Sequence, residues 1–301
     1  MLAWMGGLGV SKYDGIVSPA YCVYKLTNDS NPKYLHYLYK TPLYLAEFAR
    51  HSSGVIPSRW RMYTDDFGQV VSLLPPRKEQ DAIVEYLDEK MAKLDTAIAQ
   101  QQRMIALLNE RKQIIINQAV TGKLQCTMNN EQCKMKDSGV EWIGEVPEHW
   151  EVRKTLFCLS MPITDGPHET PQLYEEGIPF VSAEAVSCGN GRIDFDHIRG
   201  YISKEFYDEC CKKYIPKMHD IYMIKSGATT GKVALVDTDK IFTIWSPLAV
   251  FRCDENVMCH DYMFYMLQSD LYQLQVQLGW SYGTQQNIGM RTLEKLKVPV
   301  P

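Results

Sequence analysis

From Glu79 to about Thr121 the chain repeats apolar residues on a seven-residue frame, with Val84, Met91, Ile98 and Ile105 at one position and Leu87, Leu94, Leu108 and Ile115 at the other. That spacing predicts one long helix with a coiled-coil seam, interrupted at Gln101 and Lys112. Polar residues inside a seam cost stability but fix the register of a partner helix. On either side the chain repeats itself: Ile16, Ser18, Pro19, Tyr34, Tyr37, Leu43 and Tyr44 recur as Ile244, Ser246, Pro247, Tyr262, Tyr265, Leu271 and Tyr272, all at a displacement of 228. A stiff helix between two like modules reads as a ruler. At ~1.5 Å per residue it would measure on the order of 60 Å, roughly two turns of duplex DNA.

The prolines and glycines delimit this plan. Pro75 and Pro76 stop the first module and favour a helix start just after them. At the far end Gly122 is a natural left-handed cap, with Lys123 at the negative end of the helix dipole. Four segments follow: residues 1–75 as a partial first domain, 76–124 as the spacer helix, 125–141 as a linker and 142–301 as a second, larger domain. In the first, Gly6, Gly7 and Gly9 open a turn, Ala20 to Tyr24 suits a strand, and Tyr34 to Phe48 has helical spacing. In the second, strands are expected at Phe180–Ser182, Ile221–Ile224, Val233–Val236, Ile241–Ile244 and Ala249–Phe251, with helices at Lys204–Lys213 and Tyr262–Leu278. The fold class is α+β, mixed sheet and helices joined by a coiled-coil-type spacer.

Composition narrows the function by exclusion. The chain has 301 residues, of which 45% are hydrophobic and 23% charged, which suits about two packed domains and not disorder. Its nine cysteines lack paired C-x-x-C spacing, so no zinc site is expected, and reduced thiols fit a cytoplasmic protein. Met1 to Val10 is apolar but contains three glycines, has no basic leader and is too short to span a bilayer. A net charge of −4 means that any contact with nucleic acid must rest on local loops.

Three loops carry polar residues suited to such contact. Ser226-Gly227-Ala228-Thr229-Thr230-Gly231-Lys232 fails as a nucleotide phosphate loop, because only three residues separate its glycines and Val233 follows the lysine. It reads either as a simple turn or as a hairpin offering backbone amides, Lys225, Ser226, Thr229, Thr230 and Lys232 to a phosphate. Gly283-Thr284-Gln285-Gln286-Asn287-Ile288 follows Ser281 and Tyr282; side-chain amides can pair with both N7 and N6 of adenine, although surface loops are often rich in such residues. The third loop, Asp165 to Pro171, includes His168 and Thr170 and lacks any nucleophile in a recognisable elbow. No dinucleotide or S-adenosylmethionine glycine loop and no metalloprotease motif is present, so neither a catalytic residue nor a metal ligand is expected.

Taken together these residues resemble the specificity subunit of type I restriction–modification enzymes. The resemblance is carried by Gly9-Val10-Ser11 and Ile16-Val17-Ser18-Pro19-Ala20-Tyr21, by Leu74-Pro75-Pro76-Arg77-Lys78-Glu79-Gln80, and by the helix ending Ala119-Val120-Thr121-Gly122-Lys123-Leu124. It continues through Trp142-Ile143-Gly144-Glu145-Val146-Pro147-Glu148-His149-Trp150 and the three loops. The resemblance implies a DNA-binding protein of a restriction system, with two target-recognition domains held apart by two long antiparallel helices. It also implies no active site of its own and no bound cofactor. Modification subunits would methylate adenine with S-adenosylmethionine, and restriction subunits would translocate and cleave double-stranded DNA with ATP and Mg. In two places the chain departs from the pattern: most of the front of the first recognition domain is missing, and Val300-Pro301 ends the chain where the second long helix is expected. It is therefore expected to be truncated at both ends.

The expected DNA-binding residues are Asp165, His168, Thr170, Lys225, Ser226, Thr229, Thr230, Lys232, Ser281, Tyr282, Thr284, Gln285, Gln286 and Asn287. The eight seam residues, from Val84 to Ile115, are the expected partner-helix interface. An alternative makes the chain a truncated assembly or half-specificity module that self-associates through the spacer helix.

Overall fold

The computed structural model describes residues 2–56, 60–124, 134–282 and 285–301. Two compact units divide at Ile105, within the long helix: residues 1–105 and 106–301. Mixed helix and sheet make the fold α+β, as the sequence indicates.

In the first unit, α1 (Pro32–Tyr39) and α2 (Pro42–Arg50) replace the single expected helix over Tyr34 to Phe48. Pro42 lacks an amide proton and holds Thr41 extended at ψ 149°, so the helical run stops and restarts. Asn31 caps α1, its side-chain oxygen accepting from Lys33 N and Tyr34 N. Then come α3 (Thr64–Gly68) and the long helix α4 (Arg77–Val120). Phe48, Tyr44, Met62 and Ala3 form the unit's buried core, with Tyr39 and Phe67 packed around Phe48. Gln80, in the first turn of α4, is buried; its amide donates to Pro75 O and its carbonyl accepts from Asn31 N, both at 2.8 Å.

The expected strand at Ala20–Tyr24 does not form; Tyr21, Val23 and Tyr24 are exposed and Ile16 is fully exposed. The counterpart of residues 20–24 at displacement 228 is a strand in the second unit, flanked there by two hydrogen-bonded neighbours. The described residues of the first unit contain no such flanking strands. A β-prone segment without partners leaves its backbone to water.

The second unit contains, in chain order, β1 (Met135–Asp137), β2 (Glu145–Pro147), β3 (Glu151–Lys154), β4 (Thr164–Asp165), β5 (Ile178–Val181) and α5 (Ala183–Cys188). After these come β6 (Tyr201–Ile202), α6 (Lys204–Cys211), β7 (Ile221–Ile224), β8 (Val233–Leu235), β9 (Thr243–Ile244) and β10 (Leu248–Phe251). The run closes with α7 (His260–Gln268), α8 (Asp270–Leu278), β11 (Ser281–Tyr282), β12 (Gln286–Asn287), α9 (Met290–Leu293) and β13 (Lys297–Val300). Here too one expected helix, Tyr262–Leu278, is two: Ser269 sits extended between them and its hydroxyl caps α8 through Tyr272 N.

The central sheet is antiparallel in the order β4-β10-β7-β8 and is buried on both faces. Alternation assigns Ile221, Met223, Ala249 and Phe251 to one core, with α7 and α8, and Tyr222, Ile224, Leu248 and Val250 to the other, with α5. A second sheet, β6-β5-β9, pairs β5 with β9 in parallel. Ile116 and Val120, on the last turns of α4, belong to the first core; at ~1.5–3 kcal/mol for each such side chain, this burial anchors the helix end. Gly122 adopts φ +73°, and a Cβ there would lie 2.4 Å from Pro147 Cγ and 3.2 Å from Trp150, so only glycine fits the cap. The Trp142-to-Trp150 motif is thus largely architectural: Ile143, Val146 and Trp150 are buried, and Trp150 meets the Tyr262 ring edge-on.

The repeat seen in sequence is also a repeat of structure. Displaced by 228, Pro32–Tyr39 falls on α7 and Pro42–Arg50 coincides with α8. Beyond them Ser53 bridges Arg61 in the first unit, as Ser281 pairs with Asn287 in the second. The matched tyrosines Tyr34 and Tyr262 both donate to backbone carbonyls distant in sequence, Tyr34 to Leu73 O at 3.0 Å and Tyr262 to Val120 O at 2.8 Å with Pro299 O 3.1 Å away.

Candidate nucleic-acid interface

All three polar loops of the second unit emerge at one end of the central sheet. β7 runs into the 225–232 turn, which returns as β8 through Ile224 N to Lys232 O and Gly231 N to Ile224 O. Ser226 then bridges Asn287, with Gly227 N donating to Gln286 O at 3.0 Å and Ile288 N to Lys225 O at 2.9 Å. The 165–171 loop leaves β4 beside both: Ser246 N donates to Pro167 O, and Gly166 leaves no room for a Cβ against Ile244 O.

The side chains divide by exposure. Gln285, Gln286 and Asn287 are exposed, as are His168, Thr170, Lys232 and Ser281. Ser226, Thr229 and Thr230 are half-buried, and the Thr230 hydroxyl donates to Gly227 O inside the turn. Thr284 and the side chain of Tyr282 lie outside the described residues. The turn's amides are largely engaged: those of Gly227, Thr230, Gly231 and Lys232 all donate to protein carbonyls, so side chains are the groups it presents. Gly231, at φ +96°, also sits where a Cβ would strike Gln273 Oε1 at 2.2 Å, while Gln273 donates to Gly231 O.

Asp165 has its carboxylate turned inward. It is 1% exposed, with Lys213 Nζ at 2.5 Å from Oδ1, and Lys225 Nζ at 3.3 Å and His168 Nε2 at 3.2 Å from Oδ2. Burial opposes ionisation of Asp165, but hydrogen bonding and charge from Lys213 and then Lys225 outweigh it, and the carboxyl stays below its ordinary range. One buried anion therefore gathers two lysines and a histidine from three segments, and Asp165 acts on the loops from within.

Sequence spacing did not reveal the residues that brace the opposite end of the central sheet, where β7 begins and β10 ends. Asp220, fully buried, receives Arg252 through two 2.7 Å hydrogen bonds, the Lys217 amide at 2.8 Å and the Tyr214 hydroxyl. Burial, with Tyr222 and Asp220 alongside, pushes the Tyr214 phenol far above its usual range, so it stays a donor. Among the described residues, Glu255, Cys259 and His260 place three donor atoms within 4.8 Å, but His260 Nδ1 already meets Glu255 at 2.8 Å and its ring stacks on His219.

The polar loops lie within or directly before residues 169–301, and that stretch matches the type I restriction modification DNA specificity domain. Within residues 169–301 the chain is thus similar to the specificity domain of type I restriction–modification systems. It is 23% identical over 231 residues to the type I restriction enzyme EcoBI specificity subunit of Escherichia coli, covering 76% of this chain and 47% of that one. It is 28% identical over 166 residues to the putative MjaX specificity subunit of Methanocaldococcus jannaschii, covering 53% and 37%. The chain thus spans about half or less of the curated relatives it matches. A solved chain of a type I R-M system superposes with a TM-score of 0.54 at 18% identity over 91% of this chain and 60% of its own, which shows the shared fold.

Among the described residues, no helix is long and apolar enough to cross a membrane. Along α4 the expected partner-helix residues fall into two classes. Val84 is buried within its own unit, and Leu87 is half-buried. Met91, Leu94, Ile98, Ile105, Leu108 and Ile115 are between 44% and 59% exposed.

Proposed function

We propose that the chain recognises double-stranded DNA for a type I restriction–modification system, with residues 142–301 as a target-recognition domain. The convergence of three polar loops at one sheet end carries this reading. Gln285, Gln286 and Asn287 are the base-reading candidates, because exposed side-chain amides can pair bidentately with adenine. Lys225, Thr230 and Lys232 position the phosphate backbone. Residues 1–75, with their matching helices and Ser53–Arg61 bridge, are part of a second module of the same kind. In this reading the chain performs no chemistry. Modification subunits methylate adenine using S-adenosylmethionine, and restriction subunits cleave using ATP and Mg.

The direct test is selection of duplexes from a randomised pool by the full chain, read by sequencing. Enrichment of a defined motif supports DNA recognition, and binding that enriches nothing refutes it. Binding to the selected duplex should also weaken steeply with salt, since phosphate contact releases counterions.

A second reading concerns association. Leu94, Ile98, Ile105 and Leu108 repeat on one stripe of α4 and are each more than half exposed, a face suited to a helix with the same heptad pattern. A second copy of this chain supplies that pattern.

A further inference from the structure

Arg199 and Trp245 are 46 positions apart and belong to none of the three loops, yet they form a stack beside one of them. The Arg199 guanidinium lies 4.1 Å from the Trp245 ring centroid. β5 brings them together: Phe180 N donates to Gly200 O on one side, and Trp245 N donates to Val181 O on the other. The indole is braced against Phe180, with ring centroids 6.2 Å apart. The stack borders the 165–171 loop, because Gly166 packs on the Trp245 backbone and Ser246 N donates to Pro167 O.

We propose that Arg199 reads a guanine in the bound duplex and that Trp245 is the positioning residue that orients it; this rests on the DNA-recognition reading above. Stacking occupies the face of a guanidinium and leaves its in-plane N–H fork open. Arg199 is exposed, and its described contacts are the ring and the nearby charge of Glu184, whose own carboxylate accepts from the Ser182 hydroxyl. Three other arginines of this unit are engaged with carboxylates: Arg153 with Glu151, Arg192 with Asp237 and Arg252 with Asp220. A guanidinium held in one plane matches the coplanar O6 and N7 acceptors of guanine.

The experiment selects duplexes from a randomised pool with the full chain and with Arg199→Ala and Arg199→Lys, each checked for an unchanged thermal unfolding profile. The wild-type motif is expected to contain a guanine whose preference falls about tenfold or more in both variants, with the other positions retained. Lysine keeps the charge but not the fork. A wild-type motif in Arg199→Lys, or uniform weakening in both variants with the motif intact, means a phosphate contact and overturns the proposal. Absence of any wild-type motif removes the DNA-recognition reading itself and this proposal with it.

Discussion

Ser226 and Asn287 form an antiparallel bridge that joins the turn after β7 to the hairpin after α8. Two segments some sixty residues apart thereby become one surface, and the placement of Gln286 depends on Gly227, whose amide holds the Gln286 carbonyl.

Replacing Gln285 and Gln286 together by alanine should change which duplexes are selected while leaving thermal stability within about 0.5 kcal/mol, since both side chains are exposed. A motif that survives while affinity falls evenly would assign the pair to the backbone instead.

Asp165→Asn removes the anion that gathers Lys213 and Lys225, and should cost roughly 1.5–3 kcal/mol, measured by urea unfolding. The pH dependence follows in sign. Because the folded carboxyl titrates below its ordinary range, its stabilisation is complete above the unfolded pKa and lost as pH falls through the lower folded one. The stability difference between wild type and Asp165→Asn should therefore be flat from neutrality to mild acid and shrink only under stronger acid.

Arg252→Met strands the Asp220 carboxylate in a fully buried position and should destabilise by about 3–5 kcal/mol. Exchanging Asp220 as well, for asparagine, should recover part of that loss. If the double variant is no more stable than Arg252→Met, the ion pair is not the source of the cost.

Self-association through α4 should appear in light scattering as a concentration-dependent dimer. Ile98→Asp with Ile105→Asp, both at exposed seam positions, should shift it to monomer without lowering helix content. A wild-type chain that stays monomeric at high concentration would exclude the second copy as the partner of this face.

Much of the plan was legible in local pattern. Heptad spacing marked the long helix to within about two residues at either end, because helix periodicity depends on neighbours three and four positions away. Gly122 announced its left-handed cap, and the constant displacement of 228 marked two substructures that match helix for helix. Boundaries that depend on one residue were harder to read: Pro42 and Ser269 each split an apparent helix by holding the chain extended, without disturbing the apolar spacing around them.

By itself, then, the sequence determined the spacer helix, the repeated module and the polar loops, all of which arise from interactions between near neighbours or from direct likeness of one segment to another. Tertiary structure decided what those segments meet. Residues 20–24 remain coil although their counterpart is a central strand, because a strand exists only where another offers it hydrogen bonds. Asp165 turns inward to two lysines, and Arg199 comes to rest on Trp245, because sheet pairing brings distant positions side by side. Such contacts leave no periodic trace along the chain.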